Sequence, residues 1–304
     1  EIDEAMAACR KGQKQHPDEA VLQLIEAKVL LHQRDYANAQ RVLECNPERE
    51  TPFGYSIQFG ISIGHGHAAS ALEQLQQLLR AYRILPLEYV EIIDENFDHL
   101  PYDLTAQHLL QTYQMLKEER PSDDQSAEVY GRIGGMLMDC HDHADAITVL
   151  ETAIDHDAYD IYSWQDLTRC QFELQRFDDC LNSSEMGLAI DPLNPLFNFV
   201  LGVIKAQDGH AREAIDHLEL ARQYVEGKLK HEAIPQERSE VERQTCITYE
   251  ILGRCYMQVD DPDKAIACFT TLVGHAPHMA ESHFLLATAL TDKGLKDQAL
   301  TQID

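Results

Sequence analysis

Pairs of small residues twelve positions apart recur along this chain of 304 residues. They are Ala27 and Ala39, Gly134 and Ala146, Thr168 and Cys180, Gly202 and Ala214, Gly253 and Ala265, and Ala287 and Ala299. The first members Gly134, Thr168 and Gly202 stand 34 residues apart, as do Gly253 and Ala287. A period of that size marks a repeat solenoid, in which each unit buries its apolar face against its neighbours. Such a chain grows in one dimension, so its length does not by itself call for two globular domains.

Each unit reads as two helices. In residues 246–279, Tyr249, Leu252, Gly253 and Tyr256 share one face at helical spacing and define the first helix. Asp260-Asp261-Pro262 makes the turn, and Pro262 suits the opening of the second helix because its φ is fixed and it lacks a donor. Ala265, Phe269 and Leu272 mark the buried face of that helix, and Pro277 stops it. Small residues on both helices permit close approach at the crossing. Overpacking such a site costs about 1–3 kcal/mol.

These residues resemble the tetratricopeptide repeat family, whose consensus places an aromatic or Leu, then Leu-Gly, Tyr, Ala, Phe, Ala and Pro at the same offsets. Residues 127–160 supply Tyr130, Ile133, Gly134, Leu137, Ala146, Leu150 and Ala153. Residues 161–194 supply Trp164, Leu167, Thr168, Cys180, Gly187 and Pro192, with Ser184 departing from the expected large apolar residue. Residues 195–228 supply Leu201, Gly202, Ala214, Leu218 and Ala221; residues 20–53 supply Ala27, Leu30, Ala39 and Leu43; residues 280–304 supply Leu286, Ala287, Leu290, Ala299 and Ile303. Ala5, Cys9, Gly12 and Pro17 look like the second helix of a repeat whose first helix is absent. The resemblance implies an all-α, right-handed superhelical solenoid of antiparallel helix pairs, with roughly seventeen helices of three to four turns.

Two regions break the register. Residues 54–126 have the length of two further hairpins without the small-residue signature; Leu87 to Phe97 and Leu104 to Leu116 read as amphipathic helices, punctuated by Pro86, Pro101 and Pro121. Gly202 and Gly253 are 51 apart, which makes residues 229–245, centred on Pro235, a charged insertion that lengthens two helices and joins them by a loop. The expected organisation is therefore 1–53 (two repeat units, the first partial), 54–126 (two degenerate hairpins), 127–228 (three units), the 229–245 insertion, and 246–304 (two units, the last truncated). The chain opens on Glu1-Ile2-Asp3-Glu4, inside a repeat and without an initiator Met, as a part of a longer polypeptide would; no signal peptide is evident.

Asp and Glu number 52 against 25 Lys and Arg, a net charge of −27. So acidic a surface repels phosphate backbones and anionic membranes and steers basic partners inward. Nucleic acid and membrane are thus not expected as partners, and no apolar run reaches the ~18 residues that span a bilayer. The eight Cys are scattered over helix-packing positions, where they act as small hydrophobes. That pattern favours a reducing compartment and a cytoplasmic location.

Chemistry is sparse. Neither a Gly-rich phosphate loop nor a nucleophile elbow is present. His65-Gly66-His67 and Cys140-His141-Asp142-His143 carry metal-ligand types, but a structural zinc site wants four ligands as two separated pairs. Both clusters read as solvated turns. The acidic pairs Asp123-Asp124, Asp178-Asp179 and Asp260-Asp261 read as helix-start residues rather than calcium ligands, because an EF-hand loop's central Gly and terminal Glu are missing. Trp164 reads as core. No metal, cofactor or catalytic residue is expected.

The resemblance implies that positions two, five, nine and twelve of each first helix line a concave groove. Among these are Lys28, Tyr162, Arg169, Phe199, Val203, Arg254, Met257 and Phe284. The Lys and Asn cluster with which some family members grip a terminal carboxylate is not here. What remains is an apolar strip around Phe199, Val203 and Met257, flanked by Arg169 and Arg254, suited to a basic or apolar protein segment. The expected function is a non-catalytic scaffold binding a partner along the groove. Alternatives are a regulatory or sensor domain of a larger protein and a metal-binding protein. The oligomeric state is left open.

Overall fold

The computed structural model describes residues 2–16, 19–119, 125–231 and 235–302. Glu1, Pro17, Pro121, Asp123, Asp124 and Ile303, named above, lie outside them, as do the side chains of Asp3 and of 229–240. The described residues form seventeen α-helices and one short 3-10 helix, with no strand among them. The all-α expectation therefore holds. Two compact units divide the chain, Glu1–Ser163 and Trp164–Asp304.

The first unit contains α1 (Ile2–Gln15), α2 (Ala20–His32), α3 (Tyr36–Glu44), α4 (Pro52–Gly64), α5 (Ala68–Arg80) and α6 (Pro86–Asp94). The 3-10 helix (Phe97–His99), α7 (Tyr102–Glu119), α8 (Ser126–Asp139) and α9 (His143–His156) complete it, and α10 (Ile161–Glu173) begins there. The second unit continues with α11 (Phe177–Ile190), α12 (Pro195–Gln207), α13 (Ala211–His231), α14 (Pro235–Gln258), α15 (Pro262–His275), α16 (Ala280–Asp292) and α17 (Lys296–Leu300). Within each unit, antiparallel pairs pack on the next helix in sequence, as α8 on α9 and α12 on α13, with α13 then meeting α14. The segment between Gly202 and Gly253 prolongs α13 to His231, and α14 starts at Pro235.

One backbone device makes the hairpins. His141 stands at φ 64, and its amide donates to the Met138 carbonyl (2.9 Å) while the Asp142 amide donates to that of Leu137 (3.0 Å). This is the left-handed helix stop that satisfies two of the last orphan carbonyls. The same pair of bonds and the same positive φ recur at Gln175, Gly209, Asp260 and Gly294. Asp260 is thus the left-handed residue, and Asp261 alone caps α15 by accepting from the Lys264 amide (3.2 Å). Asp178 and Asp179 lie in the first turn of α11, two and three residues past its cap Arg176.

The small residues pack differently from the simple crossing expected above. A Cβ on Gly253 would meet the Phe269 ring at 2.5 Å, and its nearest neighbours are ring atoms of Phe269 rather than Ala265. Gly134 faces Leu150 (2.5 Å) and Gly202 faces Leu218 (2.6 Å) in the same way, always sixteen positions on. The glycine is a socket and the large residue of the second helix is the knob. Ala146, Ala214 and Ala265, at +12, are fully buried beside it.

Residues 54–126 reuse the device in altered form. Gly66, at φ 80, closes the α4–α5 turn with the same two bonds, and the Tyr36 ring occupies the space that a Cβ on Gly64 would need. Tyr82 (φ 56) then ends α5 by the same stop, sixteen residues later, which shifts the register. The apolar interior here also holds a chain of polar groups. Gln76 Nε2 donates to Thr112 Oγ1 (3.0 Å), which also pairs with the Tyr89 hydroxyl (2.9 Å), all buried. Beside Tyr89 lies buried His108, whose Nε2 has no hydrogen-bond partner among the described residues.

Burial pushes His108 down to about 4, so the folded state holds it neutral. A depressed imidazole stabilises fully above its ordinary value of about 6.5 and loses that stability as pH falls towards the folded value. Going from pH 7.5 to 5 should therefore destabilise the wild-type protein by about 2 kcal/mol more than His108→Gln. Urea midpoints of both proteins at the two pH values measure it, and an equal pH response would contradict this burial.

Candidate partner-binding face

The cations on the first helices of the repeats are paired with carboxylates of their own or a neighbouring helix. In the first unit Lys28, on α2, donates to Glu95 Oε2 (2.6 Å) and to Ser56 Oγ on α4 (3.2 Å). Ser56 Oγ also reaches Glu95 Oε2 (2.7 Å). Burial pushes the Glu95 carboxyl up, but the hydrogen bonds from Lys28 and Ser56 outweigh it and hold it below the usual range. Arg132, on α8, similarly pairs with Asp94 (2.7 Å) at the end of α6. Lys28, a groove cation by its repeat position, is therefore engaged within the protein. Tyr162 stands 74% exposed at the end of this unit, its amide donating to Asp160 Oδ1 (3.1 Å).

In the second unit, Arg169 is exposed and pairs with Asp166 one turn before it (3.3 Å). Arg254, on α14, bonds Glu250 of its own helix (3.0 Å) and Glu281 of α16 (2.9 Å). The sequence places Arg254 beside the apolar strip, and within the protein its charge is matched by these two carboxylates. Val203 is also corrected: it is only 7% exposed, because α12 is flanked by both α13 and α14. Phe199 and Met257 are half-buried against the unit's core, while Phe284 is 61% exposed on α16. The apolar surface on offer is thus Phe284 with the outer edges of Met257 and Phe199, rather than a strip centred on Val203.

The two His clusters lie where the sequence put them, in turns. His65 and His67 flank Gly66, with His65 5.5 Å from the Tyr36 ring. His141 and His143 flank the start of α9, their rings 6.2 Å apart. Among the described residues, no group of three or more His, Cys, Asp or Glu is arranged to hold a metal ion. Burial, then Asp139 and Asp142, push the Cys140 thiol up to about 11, which suppresses its thiolate.

The sequence reading missed a network on the second helix face. Arg222 is clasped by Glu219 (2.5 Å) and Glu226 (2.6 Å), and the hydroxyls of Tyr256 and Tyr249 donate to the same two carboxylates. The i−3 and i+4 spacing around Arg222 was the available signal. Burial and Glu226 raise Tyr249 to about 12. This network fastens α13 to α14 and offers no free group. No helix among the described residues is long and apolar enough to cross a membrane.

Residues 252–304 match the tetratricopeptide repeat family profile. No curated protein matches the chain. Among solved structures it is similar to MamA (18% identity, 59% of this chain and 88% of that one, TM-score 0.47). It is also similar to MamA 41-end from Desulfovibrio magneticus RS-1 (15% identity, 60% and 92%, TM-score 0.48). A third is YrrB, described as a TPR protein with an unusual peptide-binding site (16% identity, 63% and 89%, TM-score 0.46).

These placements separate two side chains that the repeat register treats alike. Val203→Ala should destabilise the protein by about 1–3 kcal/mol, and Phe284→Ser by less than about 0.5 kcal/mol. Chemical denaturation of the two variants reads the difference; comparable losses would mean that Phe284 is core or Val203 surface.

Proposed function

We propose that this chain, whose residues 252–304 belong to the tetratricopeptide repeat family, is a non-catalytic scaffold that binds a protein segment on the first-helix face of its second unit. The observation that supports the reading most is Phe284, a large aromatic side chain 61% exposed on a first helix, with half-buried Met257 on the preceding one. An exposed aromatic anchor beside an apolar edge suits the apolar residue of a docking helix or strand. Glu281 and Glu250 border it and are shared with one Arg254, so acid outnumbers base locally. With the chain's net charge of −27, that favours a partner segment carrying Lys or Arg beside its apolar residue. The reading is non-catalytic because the shifted groups are tied into packing: Cys140 and Tyr249 are raised by burial, and Arg222 is clasped. A cytoplasmic location belongs to the same proposal.

The test is affinity capture from the native organism with wild type, Phe284→Ala and, as a control on the opposite helix face, Tyr224→Ser. Phe284→Ala should weaken capture of the wild-type partner by about 2 kcal/mol, roughly thirtyfold, as a central anchor does. Tyr224→Ser should leave it intact. Undiminished capture by a Phe284→Ala protein that melts like wild type would place the binding face elsewhere.

A further inference from the structure

We propose that the seam between α10 and α11 is a locally opening element of the second unit, weak by construction while the repeats after it stay closed. The reason lies in two substitutions at matched positions. Where the repeats at Gly134, Gly202 and Gly253 set a glycine socket against a Leu or Phe knob sixteen residues on, this one has Thr168 and Ser184. Both are fully buried. Thr168 Oγ1, Ser184 Oγ and the Oε1 of buried Gln171 have no hydrogen-bond partner among the described residues. Among the described residues, the one group that interacts with the Ser184 hydroxyl is the Cys180 sulfur, which is a weak partner and whose own S–H is directed at the Thr168 carbonyl (3.5 Å).

The neighbouring repeats differ. Asn198, buried on α12, donates to the Asn194 carbonyl (2.9 Å), and Thr245 and Thr248 on α14 donate to carbonyls of their own helix (2.7 and 2.8 Å). A buried polar atom left without a partner favours the open state, where water satisfies it. A missing knob removes the apolar burial that would oppose opening. In a repeat array, stability is a sum of local terms, so the weakest seam opens on its own.

The other side of α11 is well held. Phe197 of α12 fills the space over Gly187 that a Cβ would need, and Cys180 packs with Val200 and Ile204. Phe172 of α10 still meets Phe177 of α11 edge-on (6.0 Å), so opening parts that ring pair together with the polar seam and leaves α11 on α12. It bares Cys170 and Cys180, both fully buried and reduced in the closed form. Cys255 and Cys268 sit in the α14–α15 repeat, whose Gly253 and Phe269 do form the socket and knob. They serve as the internal reference.

The experiment is alkylation of the intact chain with N-ethylmaleimide under native conditions, resolved by peptide mapping. Cys170 and Cys180 should react at least about tenfold faster than Cys255 and Cys268. Restoring the pair in Thr168→Gly with Ser184→Leu should slow Cys170 and Cys180 by about tenfold and leave Cys255 unchanged. Equal rates at all four thiols in wild type, or no slowing in a folded double variant, overturns the proposal. Should the double variant not fold, amide hydrogen exchange of the wild type decides. Faster exchange across 165–184 than across 249–270 supports the seam, and equal protection refutes it.

Discussion

The fit of a glycine against one large side chain sixteen residues later is the contact that the pairs α8–α9, α12–α13 and α14–α15 share. Gly134 and Leu150, Gly202 and Leu218, and Gly253 and Phe269 place the knob 2.5–2.6 Å from a missing Cβ, closer than any real Cβ tolerates. The knob can reach that depth only because the socket carries no side chain, and the buried alanine at +12 keeps the second helix close. Helices so short gain little from propensity alone, so tertiary packing of their apolar faces, this contact included, holds them. The left-handed turn residue between the two helices sets how they meet, and the socket-to-knob spacing is sixteen residues in all three pairs although Gly202 and Gly253 stand 51 apart.

That arrangement also shapes what the surface can do. With the apolar residues of both helices drawn inward, the first helices keep their charged positions for one another: Lys28 bridges to Ser56 and Glu95, and Arg254 to Glu250 and Glu281. Such half-exposed pairs contribute little stability each. Their larger effect is to remove free cations from the face, leaving an acidic surface on which Phe284 stands out. The proposed selectivity for a basic segment with an apolar anchor rests on charge outside and one aromatic contact at the centre.

Much of this was legible in the residues themselves. The spacing of Gly134, Gly202 and Gly253 located the helix pairs, and the 51-residue gap located the longer helices α13 and α14. Turn chemistry was harder to read, since His141, Gln175 and Asp260 take a left-handed conformation that glycine would have announced. The region from α4 to α7 hid its register because its interior is joined by Gln76, Thr112 and Tyr89 hydrogen bonds instead of a small-residue crossing. The face was read least well. A repeat position says which way a residue points on its own helix, but the burial of Val203 depends on α14, and the pairing of Arg254 on α16. Both neighbours are distant in sequence. Ser184, by contrast, declared itself as an exception at once, and its physical meaning came with Thr168 at the opposite position.

A double-mutant cycle of Gly134→Ala and Leu150→Ala measures the socket contact most directly. The helix propensity gained by replacing glycine is the same in both backgrounds and cancels. The account predicts a coupling of about 1 kcal/mol or more: the methyl group added by Gly134→Ala is overpacked against Leu150 and relieved when the knob is shortened. Stabilities that add to within about 0.3 kcal/mol would mean that the glycine does not receive the knob, and the packing described for Gly134, Gly202 and Gly253 would fall with it.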